Sequence, residues 1–313
     1  MIVFLFNRVL HAVAVLFGVV SVTFVLINLA SDPLAGLIPP GASPDVEAQI
    51  RHVYGLDRPL VEQYVDFSSR AMRADFGDSW RQGRPALGAV VERLPATLAL
   101  TALATALAVA CGCLLGVVAA VRPGSTWDGI ARLSALLGQA IPAFWLGTVL
   151  ILVFAVDWHW LPSSGLDGPA GVLLPALSLA AYPAATLTRL LRAAMIETLG
   201  ADYIRTARAK GLSPRRIAIG HALRNAALPA LAVTGLQAGF LLGGAVIVEG
   251  VFAYPGIGGL ALDAVAARDI PLLEAFVWVV ALLIMAINTL TAVIASLLDP
   301  RLREDGLAFG GAG

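Results

Sequence analysis

The stretch TLALTALATALAVACGCLLGVVAAV, residues 97–121, carries no charged side chain and decides the fold class of this chain. A helix needs about 20 apolar residues to cross the roughly 30 Å of hydrocarbon in a bilayer. The other stretches of comparable length and apolar character lie near residues 9–30, 130–156, 172–191, 228–248 and 272–298. The sequence therefore predicts an all-α integral membrane protein with six transmembrane helices.

The overall composition agrees with this prediction. Hydrophobic residues make up 58% of the 313 positions and charged residues 13%, whereas a soluble domain carries about a quarter charged residues. Most of the surface is therefore expected to face the lipid bilayer. The 21 basic and 21 acidic residues cancel, and no basic tail or stripe is present, so a nucleic acid is not an expected partner.

The uneven distribution of arginines between the loops sets the orientation. An N-terminus in the cytoplasm leaves only Arg268 in the short outer loops, as the positive-inside rule requires. The inner side then holds Arg122, Arg132, the set from Arg189 to Arg224, Arg301 and Arg303. Both termini are therefore predicted to be cytoplasmic. The first apolar stretch is longer than the core of a signal peptide, and we expect it to stay as an uncleaved span.

This topology divides the chain into four parts. Residues 1–30 form the first transmembrane helix, residues 31–96 an outer segment, residues 97–300 a core of five transmembrane helices, and residues 301–313 a cytoplasmic tail. The core includes a cytoplasmic inner loop, residues 197–227.

The outer segment is predicted to fold into short helices. Ser43-Pro44-Asp45 has the chemistry of a helix start, with proline at the first helical position. A helix is expected over residues 46–54 up to Gly55, and a second over residues 59–72. The segment is either a structural lid on the bundle or a docking surface for an external partner, and periodicity favours the lid.

The inner loop carries the most informative local chemistry. Asp202 is suited to cap a first helix, and Gly211 to end it in a left-handed conformation. Ser213 is suited to cap a second helix that starts at Pro214. The prediction is helix, tight turn, helix on the cytoplasmic face. The loop either fits a groove on another protein or rests on anionic lipid, and the capped turn favours the docking interpretation.

The sequence offers no motif for covalent chemistry. A P-loop needs Gly-Lys-Ser/Thr after a glycine-rich turn, but Lys210 is the only lysine and it precedes a glycine. His-Glu-x-x-His and Gly-x-Ser-x-Gly are also absent, and the four histidines are scattered. We therefore expect no enzyme activity, no cofactor and no metal in this chain, and we interpret Cys111 and Cys113 as packing residues.

Charged residues within the predicted spans are confined to their ends. Glu249 and Glu274 lie at outer ends, and Arg189 and Arg192 lie at an inner end, where they can snorkel. A proton-coupled carrier usually needs acidic groups near the midplane of the membrane. That class is therefore a distant alternative.

Neutral polar and small residues in the spans are candidates for pathway lining or subunit interfaces. Two interpretations stay open for them, because helix–helix packing uses the same residue types. Pro142 is expected to kink the third span, and Pro183 the fourth. The candidates are Gln139, Pro142, Gln237 and the strip of Gly235, Gly239 and Gly243.

The inner loop also resembles a known family. It is similar to the "EAA" loop of the membrane subunits of ATP-binding-cassette importers at Thr206-Ala207, Gly211 and Leu228-Pro229. The sequence from Asp202 to Pro214 is close to that of the dipeptide/oligopeptide/nickel branch of this family. Arg205 stands where the general pattern has glutamate, and the spacing to Leu228-Pro229 is longer, as is usual in that branch. The resemblance spans nearly the whole chain. Its other matches are Gly55-Leu56-Asp57-Arg58-Pro59-Leu60, Gly77-Asp78-Ser79, Glu92-Arg93-Leu94-Pro95-Ala96-Thr97-Leu98, Ile141-Pro142-Ala143-Phe144, Leu161-Pro162-Ser163-Ser164-Gly165, Val248-Glu249-Gly250-Val251-Phe252, Tyr254-Pro255-Gly256-Ile257-Gly258 and Leu298-Asp299-Pro300-Arg301.

The resemblance implies a fold, a function and partners. It implies a type I importer permease of the bacterial inner membrane, whose cargo is short peptides or, alternatively, nickel or metal chelates. The partners would be a second, similar permease subunit, two cytoplasmic ATPases that hold ATP and Mg²⁺, and an external solute-binding protein. The inner loop would be the coupling helix that docks on an ATPase. The residues that carry this role over are Arg205, Thr206, Ala207, Arg208, Lys210, Gly211 and Leu212.

Overall fold

The structure is a computed structural model that describes residues 2–30, 38, 42–53, 55–165 and 168–298. These residues are almost entirely helical, and the β-type pairing among them is one isolated bridge between Asp78 and Pro85. The all-α prediction is confirmed.

The helices follow the apolar stretches and the two predicted loops. A π-helical segment, Ile151–Asp157, continues α6, and a 3-10 turn, Pro169–Val172, precedes α7. A second π-helical segment, Ile217–Leu223, joins α9 directly to α10. The α-helices are α1 (Ile2–Ala30), α2 (Pro44–Val53), α3 (Leu60–Met72), α4 (Ala86–Val121), α5 (Thr126–Ala140), α6 (Ala143–Leu150), α7 (Leu173–Gly200), α8 (Asp202–Ala209), α9 (Pro214–Arg216), α10 (Arg224–Val251), α11 (Ile257–Ala267) and α12 (Ile270–Leu298).

Within the described residues, four helical stretches are long and apolar enough to cross a membrane. They are Ala86–Val121, Ala170–Gly200, Pro229–Val251 and Ile270–Ile294. The bent pair of α5 and α6 gives a fifth if it counts as one span. The apolar part described for α1, Val13–Leu29, lies at the short end of the range for a spanning helix. The six-span count and the cytoplasmic termini stay predictions.

The third predicted span, residues 130–156, is not a continuous helix. The chain bends by 106° between α5 and the helical stretch Ala143–Asp157, which is α6 with its π-helical continuation. Ile141 is extended, with φ −87° and ψ 122°, because a residue before proline is disfavoured in the α conformation. Pro142 then precedes the first turn of α6 as its N-cap residue. The kink expected at Pro142 is therefore a full break, whereas α7 runs without interruption through Pro183.

Other helix ends also differ from the prediction. α4 begins at Ala86 and contains Pro95, so the last ten or so residues of the predicted outer segment belong to a long helix. α7 continues beyond residue 191 to Gly200. The added segments of α4 and α7 contain charged residues, so hydropathy did not predict them as part of the spans. Hydropathy indicates where a helix leaves the hydrocarbon of the bilayer, and the helix itself can continue beyond that point.

By its internal contacts the chain forms two compact units. The first comprises residues 1–97 and 255–285, and the second residues 98–254 and 286–313.

The first unit has an aromatic core. Phe24 of α1 packs against Tyr64 and Phe67 of α3, with ring centroids 5.4 and 5.6 Å apart. The ring of Phe76 packs against that of Trp278 of α12, with centroids 5.7 Å apart. Tyr64 and Phe67 of α3 thus face this core, whereas Leu60 of the same helix is exposed.

A buried carboxylate fastens the outer segment to the start of α12. Asp269 is 1% exposed and accepts hydrogen bonds from the Ser79 hydroxyl at 2.5 Å and from the Trp80 and Arg81 amides at 3.2 Å. It also accepts from the Leu272 amide at 3.3 Å, which caps α12. One side chain therefore positions residues 79–81 and the first turn of a transmembrane helix.

In the second unit, an ion pair joins α5 to α7. Asp128 is 1% exposed, and Arg192 donates to both of its oxygens, Nε at 2.6 Å and Nη2 at 2.9 Å. The amide of Gly124 donates to the same carboxylate at 2.9 Å. Arg192 points to Asp128, because that carboxylate is withdrawn from water and needs a cation.

Replacing Asp269 with alanine is expected to loosen residues 79–81. The buried Ser79 hydroxyl would lose its acceptor, and α12 its cap, at a combined cost of about 2–4 kcal/mol. Limited trypsin digestion should then cut the purified protein faster after Arg81. Asp263→Ala, an exposed position on α11, is the matched control. Equal digestion rates in both variants would contradict the assignment.

A double-mutant cycle measures the Asp128–Arg192 pair. Asp128→Asn and Arg192→Gln should each lower the apparent melting temperature, because each leaves one charge unpaired at a cost of about 2 kcal/mol or more. The double variant should recover part of that loss. Arg132→Gln is the control, since Arg132 lies 3.6 Å from Asp128 but is 60% exposed, and should cost about 1 kcal/mol or less. Additive losses in the double variant would show that the two side chains do not interact.

Candidate coupling site

The first helix of the inner loop, α8, begins one residue earlier than the sequence predicted. Its N-cap is Ala201, with φ −70° and ψ 152°, and no side chain bonds the first amides. Asp202 is therefore not the cap but the first helical residue. Its carboxylate still lies at the positive end of the helix dipole, 3.5 Å from a guanidinium nitrogen of Arg205.

The turn after α8 is a complete Schellman motif. Gly211 has φ +75°, the left-handed conformation predicted for it. Its amide donates to the Arg208 carbonyl at 2.9 Å, and the Leu212 amide donates to the Ala207 carbonyl at 3.3 Å. Leu212 packs against a small cluster formed by Ile204, Ala207 and Ile217. The end of α8 is thus closed by hydrogen bonds and by an apolar contact.

The second helix starts as predicted and runs directly into a span. The Ser213 hydroxyl accepts from the Arg216 amide at 3.4 Å, and Pro214 is the first helical residue. The π-helical segment Ile217–Leu223 then leads into α10 without a break. Its buried Ala218 and Ala222 pack in one cluster with residues of α7. The segment that follows the turn is therefore held in place by its contacts with α7.

The predicted coupling residues divide between surface and interior. Arg205, Thr206, Arg208, Lys210 and Gly211 are exposed, and Leu212 is half-buried. Ala207 is only 7% exposed and lies in the Ile204 cluster. Ala207 is therefore placed to shape the turn from within, and not to touch a partner directly.

Two exposed apolar side chains on this surface were not found from the sequence. Tyr203 and Ile219 are large, apolar and exposed among the cations of the loop. The Tyr203 hydroxyl accepts a hydrogen bond at 2.8 Å from Asn225 of α10, which fixes its ring beside the turn. Exposed apolar groups ringed by positive charge are suited to docking on a protein surface. The sequence did contain a signal for them, because both lie at helical spacing from residues that were predicted to belong to the inner loop surface.

The pathway candidates do not form one group. The Gln139 amide donates to Thr186 of α7 at 3.1 Å, and its carbonyl accepts from Arg189. Gln139 therefore joins α5 to α7 and serves helix packing. Gln237 is half-buried in α10.

The glycine strip on α10 is also divided. Gly235 lies so close to Thr291 of α12 that an added Cβ would overlap its side chain. Gly239 is buried, whereas Gly243 is exposed, and a Cβ added there would meet nothing within 4 Å. Gly235 therefore serves packing within the chain, and Gly243 remains open. Among the described residues, no three His, Cys, Asp or Glu side chains converge as metal ligands do.

Known proteins resemble this chain along nearly its whole length. The family model described as "Binding-protein-dependent transport system inner membrane component" matches residues 112–304, and the model for the N-terminal part of such components matches residues 1–101. The "Dipeptide transport system permease protein DppB" of Escherichia coli K12 is 36% identical over 337 residues, which cover 97% of this chain and 99% of the relative. The "Di/tripeptide transport system permease protein DppB" of Pseudomonas aeruginosa is 36% identical over 334 residues, with the same coverage.

A solved structure supports the fold. The structure titled "Inward facing conformations of the MetNI methionine ABC transporter" superposes with a TM-score of 0.54 and 20% identity, over 67% of this chain and 96% of that chain. This agrees with the type I importer permease fold that the resemblance predicted. Because the family models match residues 1–101 and 112–304, this multi-pass chain belongs to the inner membrane components of binding-protein-dependent transport systems, which are permeases and not enzymes.

Proposed function

We propose that this chain is a channel-forming permease subunit of an ATP-binding-cassette importer that translocates short peptides. The peptide cargo is supported by the names of relatives 36% identical over nearly their full length, which transport dipeptides or di- and tripeptides. Those names do not favour the nickel alternative.

The proposed assembly contains more than this chain. A second, homologous permease would complete the channel, and a solute-binding protein would deliver the peptide from outside, as the family description suggests. Two ATPases would supply the energy, since the sequence lacks a P-loop. ATP and Mg²⁺ would be held by those subunits.

The observation that carries the proposal is the closed turn between α8 and α9. An exposed, cationic tip is held by a Schellman motif at one end and a serine cap at the other. Such a tip can fit a groove on a soluble partner without losing its shape, which keeps the entropy cost of binding low. The contact would involve Arg205, Thr206, Arg208 and Lys210 at the surface, with Gly211 and Leu212 shaping the turn.

The proposed mechanism is a shift between two populations of the channel. Nucleotide binding draws the ATPases together, and each moves the tip docked on it. The tip is continuous with α10 through the π-helical segment, and α8 follows α7 after a single residue. Movement of the tip would therefore reach two spans at once.

Uptake into vesicles tests the function. Proteoliposomes that hold the full set of subunits should accumulate a labelled dipeptide only when ATP is enclosed in the lumen and the solute-binding protein is supplied in the external medium. Accumulation should continue after a protonophore collapses the proton gradient, because ATP is the energy source. Uptake that ignores ATP but stops with the protonophore would support a proton-coupled carrier instead.

The coupling turn is tested at Gly211. Gly211→Val should preserve the fold, since nothing lies within 4 Å of an added Cβ, but it strains a backbone with φ +75° by about 1–3 kcal/mol. We expect loss of the Schellman turn, at least tenfold slower uptake, and weaker co-purification of the ATPase. Gly211→Asn is the matched control, because asparagine tolerates the left-handed conformation. Normal uptake by the valine variant would remove the coupling role from this turn.

A further inference from the structure

The first compact unit contains a partly open cavity of about 630 Å³. It lies among α1, the outer segment and the start of α12, and its volume falls in the range of small-molecule sites. Aromatic rings form part of its wall, namely those of Phe24, Phe67, Phe76 and Trp80. Charged residues of both signs form another part.

One acid in this wall lacks a close cation. Glu274 of α12 is half-buried and forms no ion pair within 4.0 Å among the residues that the structure describes. Arg70 is the cation whose charge acts on it, but Arg70 itself pairs with Asp66 at 3.5 Å. Withdrawing a carboxylate from water is costly unless a cation compensates it. Glu274 is thus equipped to accept a cationic ligand.

The other acids of the wall do not have this need. Glu62 and Asp78 are exposed, and water can solvate them. Asp66 has Arg70 as its partner. The acid that a ligand would compensate is therefore Glu274.

A guanidinium stands at the mouth of the same cavity. Arg58 is exposed, folds over Gly55 and has no carboxylate within 4.0 Å in the described part of the chain. The neighbouring Asp57 is bound instead by His52, with Nδ1 and Oδ2 2.7 Å apart, and this hydrogen bond lowers the pKa of Asp57. The charge of Arg58 also acts on Asp57, but the two form no ion pair within 4.0 Å in the described part of the chain, so the exposed guanidinium can still receive an anionic group.

We infer that this cavity binds a short peptide through its two termini. The Glu274 carboxylate would accept the α-ammonium group inside, the Arg58 guanidinium would bind the α-carboxylate at the mouth, and the aromatic wall would hold a side chain. An unpaired acid and an unpaired guanidinium on one cavity match a zwitterion with an apolar centre. The inference rests on the proposed function and places a peptide site within this subunit, at what the predicted orientation makes the outer end of α12.

Equilibrium dialysis tests the site directly. The purified complex of permeases and ATPases, in nanodiscs and without the solute-binding protein, is dialysed against tritiated Ala-Phe or against N-acetyl-Ala-Phe. We expect saturable binding of Ala-Phe and at least tenfold weaker binding of the acetylated form, which has no ammonium group. Glu274→Gln should weaken Ala-Phe binding at least tenfold and leave N-acetyl-Ala-Phe unchanged.

Matched variants keep the test decisive. Glu92→Gln changes an exposed acid outside the cavity and should bind Ala-Phe normally. If Glu274→Gln does not assemble, Arg58→Gln replaces it, with the carboxyl-amidated dipeptide as its paired ligand. Arg58→Gln should weaken Ala-Phe binding but leave binding of the amidated dipeptide unchanged.

The outcomes separate this inference from the proposed function. A complex that imports peptides with ATP but binds no Ala-Phe, or binds the acetylated form equally well, overturns the cavity assignment alone. The same holds if Glu274→Gln or Arg58→Gln binds Ala-Phe as the wild type does. A complex with no ATP-driven peptide uptake overturns the proposed function, and the peptide site with it.

Discussion

Hydrocarbon offers no hydrogen-bond partner, so each backbone amide and each charged group near the bilayer must be satisfied by the protein itself. This constraint explains why the described residues are almost all helical. It also explains why the side chains that end or join helices carry so much of the structure. Asp269 caps α12 and fixes residues 79–81, and Asp128 holds the Gly124 amide and Arg192 together. In each compact unit a buried carboxylate thus accepts the hydrogen bonds that water would accept at an exposed position.

The same constraint separates two kinds of acid in this chain. Asp128 and Asp269 are surrounded by donors from the chain and have no capacity left for a ligand. Glu274 has no such shell among the described residues, although it lies in a transmembrane helix. A half-buried acid in a transmembrane helix that forms no ion pair with the described residues is a candidate for a functional role.

Local chemistry predicted the parts of the fold that depend on neighbours in sequence. The left-handed Gly211 and the helix start at Ser213 and Pro214 follow from conformational preferences within a few residues, and the structure confirms them. At Pro142 the same local chemistry predicted a kink, and the structure has a full break. The pairs Ser79–Asp269 and Asp128–Arg192 could not be predicted, because 190 and 64 residues separate the partners. The burial of Ala207 was missed for a different reason, since it depends on how the turn folds α8 back against Ile217.

The π-helical segment between the coupling turn and α10 gives the tip a property that an ordinary helix lacks. A π-helix has more residues per turn than an α-helix. The residues on its two sides therefore point in different directions about the helix axis from those of a continuous α-helix of the same length. If Ile217–Leu223 changed to an α-helix by giving up one residue, everything on its N-terminal side would rotate about the helix axis by roughly 100°. The cationic face on which an ATPase would dock is therefore joined to α10 by a segment whose change of helix type would alter the direction of that face.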